Sequence, residues 1–126
     1  MTVMELLEES RDMMQYFRER MEEYRFAELA ASNPRKRDFD SAAIDLADRK
    51  KELDKLAEEA TAKGKRVYVL IGLLDDMRTK EAMWALFAYG LPEDVAKGRS
   101  GIRSKHELDV AVEAGIRELE RLVRAQ

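Results

Sequence analysis

Residues 2–31 read TVMELLEESRDMMQYFRERMEEYRFAELAA. Apolar side chains recur along this stretch in alternating steps of four and three, which predicts one long amphipathic helix. Thr2 and Glu5 have the spacing of a capping box and predict where the helix starts. Ser32-Asn33-Pro34 predicts where it stops, because the residue before a proline is pushed out of the helical region. Such a helix is about 45 Å long at 1.5 Å per residue.

A second stretch, residues 39–63, repeats the same spacing with Phe39, Leu46 and Leu53 on its seam. Gly64 follows and predicts the end of this helix. Most other seam residues of this segment are alanine, and small side chains allow a neighbouring helix to approach closely. We therefore expect the two segments to form a long antiparallel hairpin.

The third segment, residues 66–89, begins with Val-Tyr-Val-Leu-Ile at 67–71, a β-branched and aromatic run that is typical of a buried strand. A lone strand leaves backbone groups without partners, and the four-three spacing continues through this run. We interpret 66–89 as one mostly buried helix ending at Gly90, with a break or kink near Asp75-Asp76 and Thr79. A strand at 66–72 that pairs across a dimer axis is the alternative.

The C-terminal part predicts a short helix at 92–97, ended by Gly98, and a last helix at 104–124. Ser104 and Glu107 form a second capping box at the start of that last helix. We expect a single all-α domain over residues 1–126. In it, the long hairpin packs with a buried third helix and a C-terminal helix, in a four-helix-bundle-like arrangement.

The composition excludes much chemistry. Cysteine is absent and His106 is the one histidine, which excludes disulfides, thiolate metal sites and histidine-rich metal sites. The longest apolar run, 67–74, is far shorter than the roughly 20 residues of a bilayer span. With no cysteine and no signal-peptide pattern at the N-terminus, a cytoplasmic protein is expected. We also expect no cofactor, no resident metal ion and no membrane contact.

The clearest local charge imbalance lies at 97–106, with four basic and no acidic side chains in a chain of net charge −3. Together with a smaller basic cluster, this segment makes a nucleic-acid-binding regulator the alternative function. Phosphate binding at the start of the last helix is a related hypothesis. The basic residues in question are Lys97, Arg99, Arg103, Lys105, Arg35, Lys36 and Arg37.

Two acidic dyads suggest a third function. Glu19-x-x-Glu22 and Asp45-x-x-Asp48 each place two carboxylates on one helix face, and opposed carboxylates can hold Mg²⁺. The spacing resembles that of the all-α nucleotide pyrophosphatases, which implies a metal-dependent nucleotide hydrolase. In the heptad register, however, all four carboxylates fall on outer helix faces, where an ion has no enclosed site.

Assembly is the main functional expectation. Helices about 45 Å long project beyond a compact core of 126 residues, and their seams stay exposed unless another chain covers them. We therefore expect a non-enzymatic adaptor, scaffold component or small regulator that self-associates and binds another protein. The expected interaction seam comprises Met14, Phe17, Met21, Tyr24, Trp84 and Phe87.

Overall fold

The computed structural model describes residues 2–31 and 39–125, with the backbone alone for 39–42. Within these ranges every regular element is a helix and no strand is present, as predicted. The helices are α1 (Val3–Ala31), α2 (Phe39–Ile71), α3 (Met77–Met83), α4 (Glu93–Ser100) and α5 (Lys105–Arg124). A wide π-helical turn, Trp84–Ala88, continues α3 directly. None of these helices is long and apolar enough to cross a membrane.

Helix α1 has the predicted bounds. The hydroxyl of Thr2 accepts a hydrogen bond from the backbone N–H of Glu5 at 3.1 Å, which satisfies one of the free donors of the first turn. The predicted stop at residues 32–34 lies outside the described residues, but α1 ends at Ala31, next to it.

Helix α2 is longer than predicted, because Gly64 does not end it. Gly64 is buried inside the helix, and a β-carbon there would lie 3.1 Å from the carbonyl oxygen of Ala88. The glycine therefore permits a close approach between α2 and the π-helical turn. Residues 67–71 form the last turns of α2, so both the single helix at 66–89 and the alternative strand at 66–72 are wrong.

The predicted break near Asp75-Asp76 is present, between α2 and α3. Asp76 caps α3, because its carboxylate accepts hydrogen bonds from the N–H and the hydroxyl of Thr79 at 3.1 and 2.6 Å. These bonds lower the pKa of Asp76, with the Thr79 hydroxyl contributing most.

Helix α4 also extends further than predicted. Gly98 lies within it, and the helix ends at Ser100 because Gly101 adopts a left-handed φ of 75°. The next helix starts as predicted, since the hydroxyl of Ser104 accepts a hydrogen bond from the N–H of Glu107 at 3.1 Å.

The core lies at one end of the α1–α2 hairpin, where α3, the π-helical turn and α5 pack against it. Its most completely buried large side chains come from all of these helices. They are Leu7, Val67, Ile71, Met83, Leu108 and Leu119. The Nζ of Lys63 on α2 lies 3.6 Å from Oε2 of Glu9 on α1, as expected for two antiparallel helices that pack side by side.

Candidate interaction surface

The hairpin projects beyond the core. We name this projection the hairpin arm and define it as residues 19–31 of α1 and 43–52 of α2. No side chain of the arm is buried, whereas burial resumes at Leu53 on α2 and is complete at Ser10 on α1. At 1.5 Å per residue the α1 part of the arm is about 20 Å long.

Three large apolar side chains on the arm are mostly exposed to solvent. The exposed fraction is 73% for Phe26, 69% for Leu29 and 65% for Ile44. None of them belongs to a predicted seam, so the heptad pattern missed them. Their position outside the seam was the available signal, because an apolar residue off the seam of a two-helix hairpin is not covered by the other helix.

A groove follows one side of the arm between α1 and α2. It comprises two neighbouring concavities of about 460 and 510 Å³, which share Glu23, Asp45 and Arg49. The apolar part of the lining comes from both helices. It consists of Tyr16, Tyr24, Phe26, Ala27, Ala30, Ala31, Leu46, Leu53 and Leu56.

Ion pairs within single helices line the groove. The guanidinium of Arg20 donates hydrogen bonds to Glu23 at 2.7 Å and to the hydroxyl of Tyr16 at 3.1 Å. The pair with Glu23 is the main cause of the raised pKa of Arg20. Arg49 lies 3.3 Å from Asp45 on α2. These exposed pairs make part of the groove lining charged and add little to stability by themselves.

The six residues of the predicted interaction seam differ in how far they are buried. Met14, Phe17, Met21 and Tyr24 are half-buried along α1, and Trp84 is half-buried on the π-helical turn. Phe87 is only 3% exposed and packs in the core, so its side chain offers no surface to a partner.

The basic segment 97–106 is divided between two helices and the loop that joins them. Lys97 on α4 lies 3.5 Å from Asp94, and the guanidinium of Arg99 lies 5.8 Å from the ring centre of Tyr89. Arg103 and Lys105 are exposed. The second basic cluster, residues 35–37, lies outside the described residues.

The acidic dyads do not face each other. Asp45 and Asp48 line the groove of the arm, which corrects their expected place on the outer face of α2, since the flank beside the seam also faces α1. Glu19 and Glu22 are exposed and are not part of that lining. Among the described residues, no group of three or more acidic or histidine side chains is arranged to hold a metal ion.

We compared the chain with known protein families, curated proteins and solved structures. No protein-family model matches this chain, and no curated protein or solved structure is significantly similar to it.

Proposed function

We propose that this protein is a helical assembly protein that self-associates through its hairpin arm. The observation that carries the proposal is an arm without a buried side chain, on which Phe26 and Ile44 are about two-thirds or more exposed and a groove runs between the two helices. Exposed apolar surface rimmed by polar residues is typical of protein interaction sites. In this role the protein acts as an adaptor, a scaffold component or a small regulator rather than as an enzyme.

The charge of the arm favours a second copy of the same chain as the occupant. The α1 part carries two basic and four acidic side chains, and the α2 part carries three of each. Because both signs alternate along the arm, a second arm brings opposite charges to the edges of the groove. A partner of strong single charge gains no such complementarity.

A twofold axis is the simplest arrangement. In such a dimer each arm uses the same surface, and the two hairpins together form a four-helix bundle. Burial of one exposed Phe or Ile side chain contributes roughly 1.5–3 kcal/mol, so four such side chains contribute roughly 6–12 kcal/mol. Association costs an estimated 4–15 kcal/mol, so even the most favourable combination of these ranges leaves about 8 kcal/mol and a dissociation constant no lower than about 1 µM.

Sedimentation equilibrium tests this proposal. We expect the wild-type protein to pass from monomer to dimer between about 5 and 500 µM, a range that lies above that lower limit of about 1 µM. The double variant Phe26→Ser/Ile44→Ser should remain monomeric throughout that range. The matched control is Val69→Ser/Leu73→Ser, which removes two apolar side chains that are 69% and 47% exposed at the other end of the hairpin.

Two outcomes would contradict the proposal. One is a wild-type protein that stays monomeric over the whole range. The other is a control variant that dissociates as readily as the arm variant, because the interface would then lie at the core end of the hairpin.

Nucleic-acid binding is the alternative proposal, supported by the exposed side chains of Arg99, Arg103 and Lys105. A gel-shift titration at two salt concentrations separates it from self-association. Contacts between basic side chains and phosphates require an affinity that falls steeply with salt. The absence of a shift at low salt would end this alternative.

A further inference from the structure

A separate cavity of about 340 Å³ lies where α1, α2 and the π-helical turn meet. We name it the aromatic cavity. Its deepest lining is made of small residues, since Ala60, Gly64 and Ala88 are all buried. Its more exposed lining consists of Met14, Thr61, Lys65, Tyr68 and Tyr89. Small residues below and two tyrosines at the opening make a slot suited to a flat group.

The aromatic side chains at this cavity are held in place. The ring of Tyr68 stacks on that of Trp84, with 4.6 Å between ring centres and 13° between planes. Trp84 Nε1 donates a hydrogen bond to the carbonyl oxygen of Tyr68 at 3.0 Å. Tyr89 approaches Tyr68 edge-on at 6.5 Å. The two tyrosines nevertheless keep 43% and 40% of their surface exposed, so a planar group can reach them.

Four cationic side chains surround this aromatic cluster. Lys65 lines the cavity itself. The Nζ of Lys80 lies 5.9 Å from the ring centre of Trp84. The guanidinium of Arg99 lies 5.8 Å from the ring centre of Tyr89. Arg18 donates hydrogen bonds to the backbone carbonyl oxygens of Tyr89 and Gly90.

Within the described residues, these four cations are not paired with acidic side chains. Among residues 2–31 and 43–125, no carboxylate lies within ion-pair distance, 4.0 Å, of any of the four. One of these cations, Lys65, therefore lines an apolar, aromatic cavity in a protein whose net charge is −3.

We propose that the aromatic cavity binds a small planar aromatic anion, that is, an aromatic ring that carries a carboxylate or a phosphate. The ring packs against Tyr68 and Tyr89 over the small residues, and Lys65 pairs with the anionic group. A cavity of this volume is at the lower end of the range for small-molecule sites. Neither a neutral ring nor an inorganic anion satisfies both halves of the site.

This inference does not depend on self-association. Gly64 of the cavity and Ile44 of the arm are separated by 20 residues of one helix, or about 30 Å. The arm variant Phe26→Ser/Ile44→Ser should therefore bind the aromatic anion as the wild-type protein does, whatever its oligomeric state.

Trp84 supplies the measurement, since it is the one tryptophan of the chain and stacks on Tyr68. Its fluorescence is titrated with phenylacetate and with adenosine monophosphate. Benzyl alcohol and adenosine are the neutral controls, and acetate and inorganic phosphate are the controls without a ring. We expect a saturable change with at least one aromatic anion, and at least tenfold weaker binding of its two controls. Saturation by phenylacetate identifies a carboxylate ligand, and saturation by the nucleotide identifies a phosphate ligand.

A charge variant tests the role assigned to Lys65. Lys65→Gln should weaken binding of the aromatic anion at least tenfold, whereas Lys51→Gln, at another exposed lysine of α2 that lies on the arm, should leave it unchanged. Both positions are at the surface, so neither substitution threatens folding. The proposal is overturned if neither aromatic anion saturates the signal, if the controls bind as tightly, or if Lys65→Gln binds like the wild-type protein.

Discussion

The two ends of the α1–α2 hairpin have the same sequence pattern and opposite environments. At the core end, Leu7 and Ile71 are fully buried beneath α3, the π-helical turn and α5. On the hairpin arm, the same two helices continue with no buried side chain. The heptad pattern tells which side of each helix faces the other. Which part of the hairpin is buried depends on where α3, the π-helical turn and α5 pack against it.

The strongest test of this comparison removes apolar groups at both ends. Leu7→Ala creates a cavity in the core and should lower the free energy of unfolding by about 2–5 kcal/mol. Ile44→Ala on the arm should change it by about 0.5 kcal/mol or less. Urea unfolding at a concentration where the protein is monomeric measures both. A similar loss for the two variants would show that the arm is packed as tightly as the core.

Two glycines with the same backbone conformation test the difference between a packed and an open position. Gly90 and Gly101 have left-handed φ values of 61° and 75°, so alanine is strained at both by about 1–2 kcal/mol. At Gly90 the new β-carbon would also lie 2.8 Å from the β-carbon of Met14, whereas at Gly101 nothing lies within 4 Å. Gly90→Ala should therefore cost about 1–3 kcal/mol more than Gly101→Ala in the same unfolding assay. Equal costs would mean that α1 can move away from Gly90 without loss.

A smaller effect is expected at the polar residue of the α1 seam. The Ser10 hydroxyl is buried and donates a hydrogen bond to the carbonyl oxygen of Phe87 at 2.8 Å. Ser10→Ala leaves that buried oxygen without this donor and should cost about 1–3 kcal/mol. Thr61→Ala, at an exposed position of α2, is the control and should cost about 0.5 kcal/mol or less. A neutral Ser10→Ala would show that water replaces the hydroxyl.

The smallest expected effect depends on pH. Because the pKa of Asp76 is lowered in the folded protein, its stabilisation is present above the ordinary value of 3.8 and is lost as the pH falls through the lowered value. Asp76→Ala should therefore lower the melting temperature at neutral pH, and the difference from wild type should shrink in acid. Thermal unfolding over a pH series measures this. A difference that stays constant below about pH 4 would contradict the assignment of the cap to the carboxylate.

Much of the fold could be predicted because the responsible interactions are local. Caps at Thr2 and Ser104 depend on residues three positions apart, and the seam of α1 depends on spacing along one helix. The error at Gly64 had a different origin. A glycine can end a helix or permit close packing inside one, and only the backbone of Ala88, 24 positions away, distinguishes the two.

The candidate sites were harder to predict than the helices. The assembly seam was placed on heptad positions, but the exposed apolar side chains of the arm, Phe26 and Ile44, lie outside it. The aromatic cavity escaped prediction because Tyr68 lies on α2 and Tyr89 directly follows the π-helical turn, so the two meet only through the packing of α2 against that turn.

By itself, the sequence determined an all-α chain with a long hairpin, since periodicity, caps and charge-coated surfaces act over a few residues. The tertiary structure decided where α2 ends, which half of the hairpin is buried, and which aromatic and basic side chains meet at one cavity. Those outcomes depend on contacts between residues far apart in the chain. A helical pattern fixes the direction of a side chain around its own axis, and only the packing of the other helices decides what that side chain contacts.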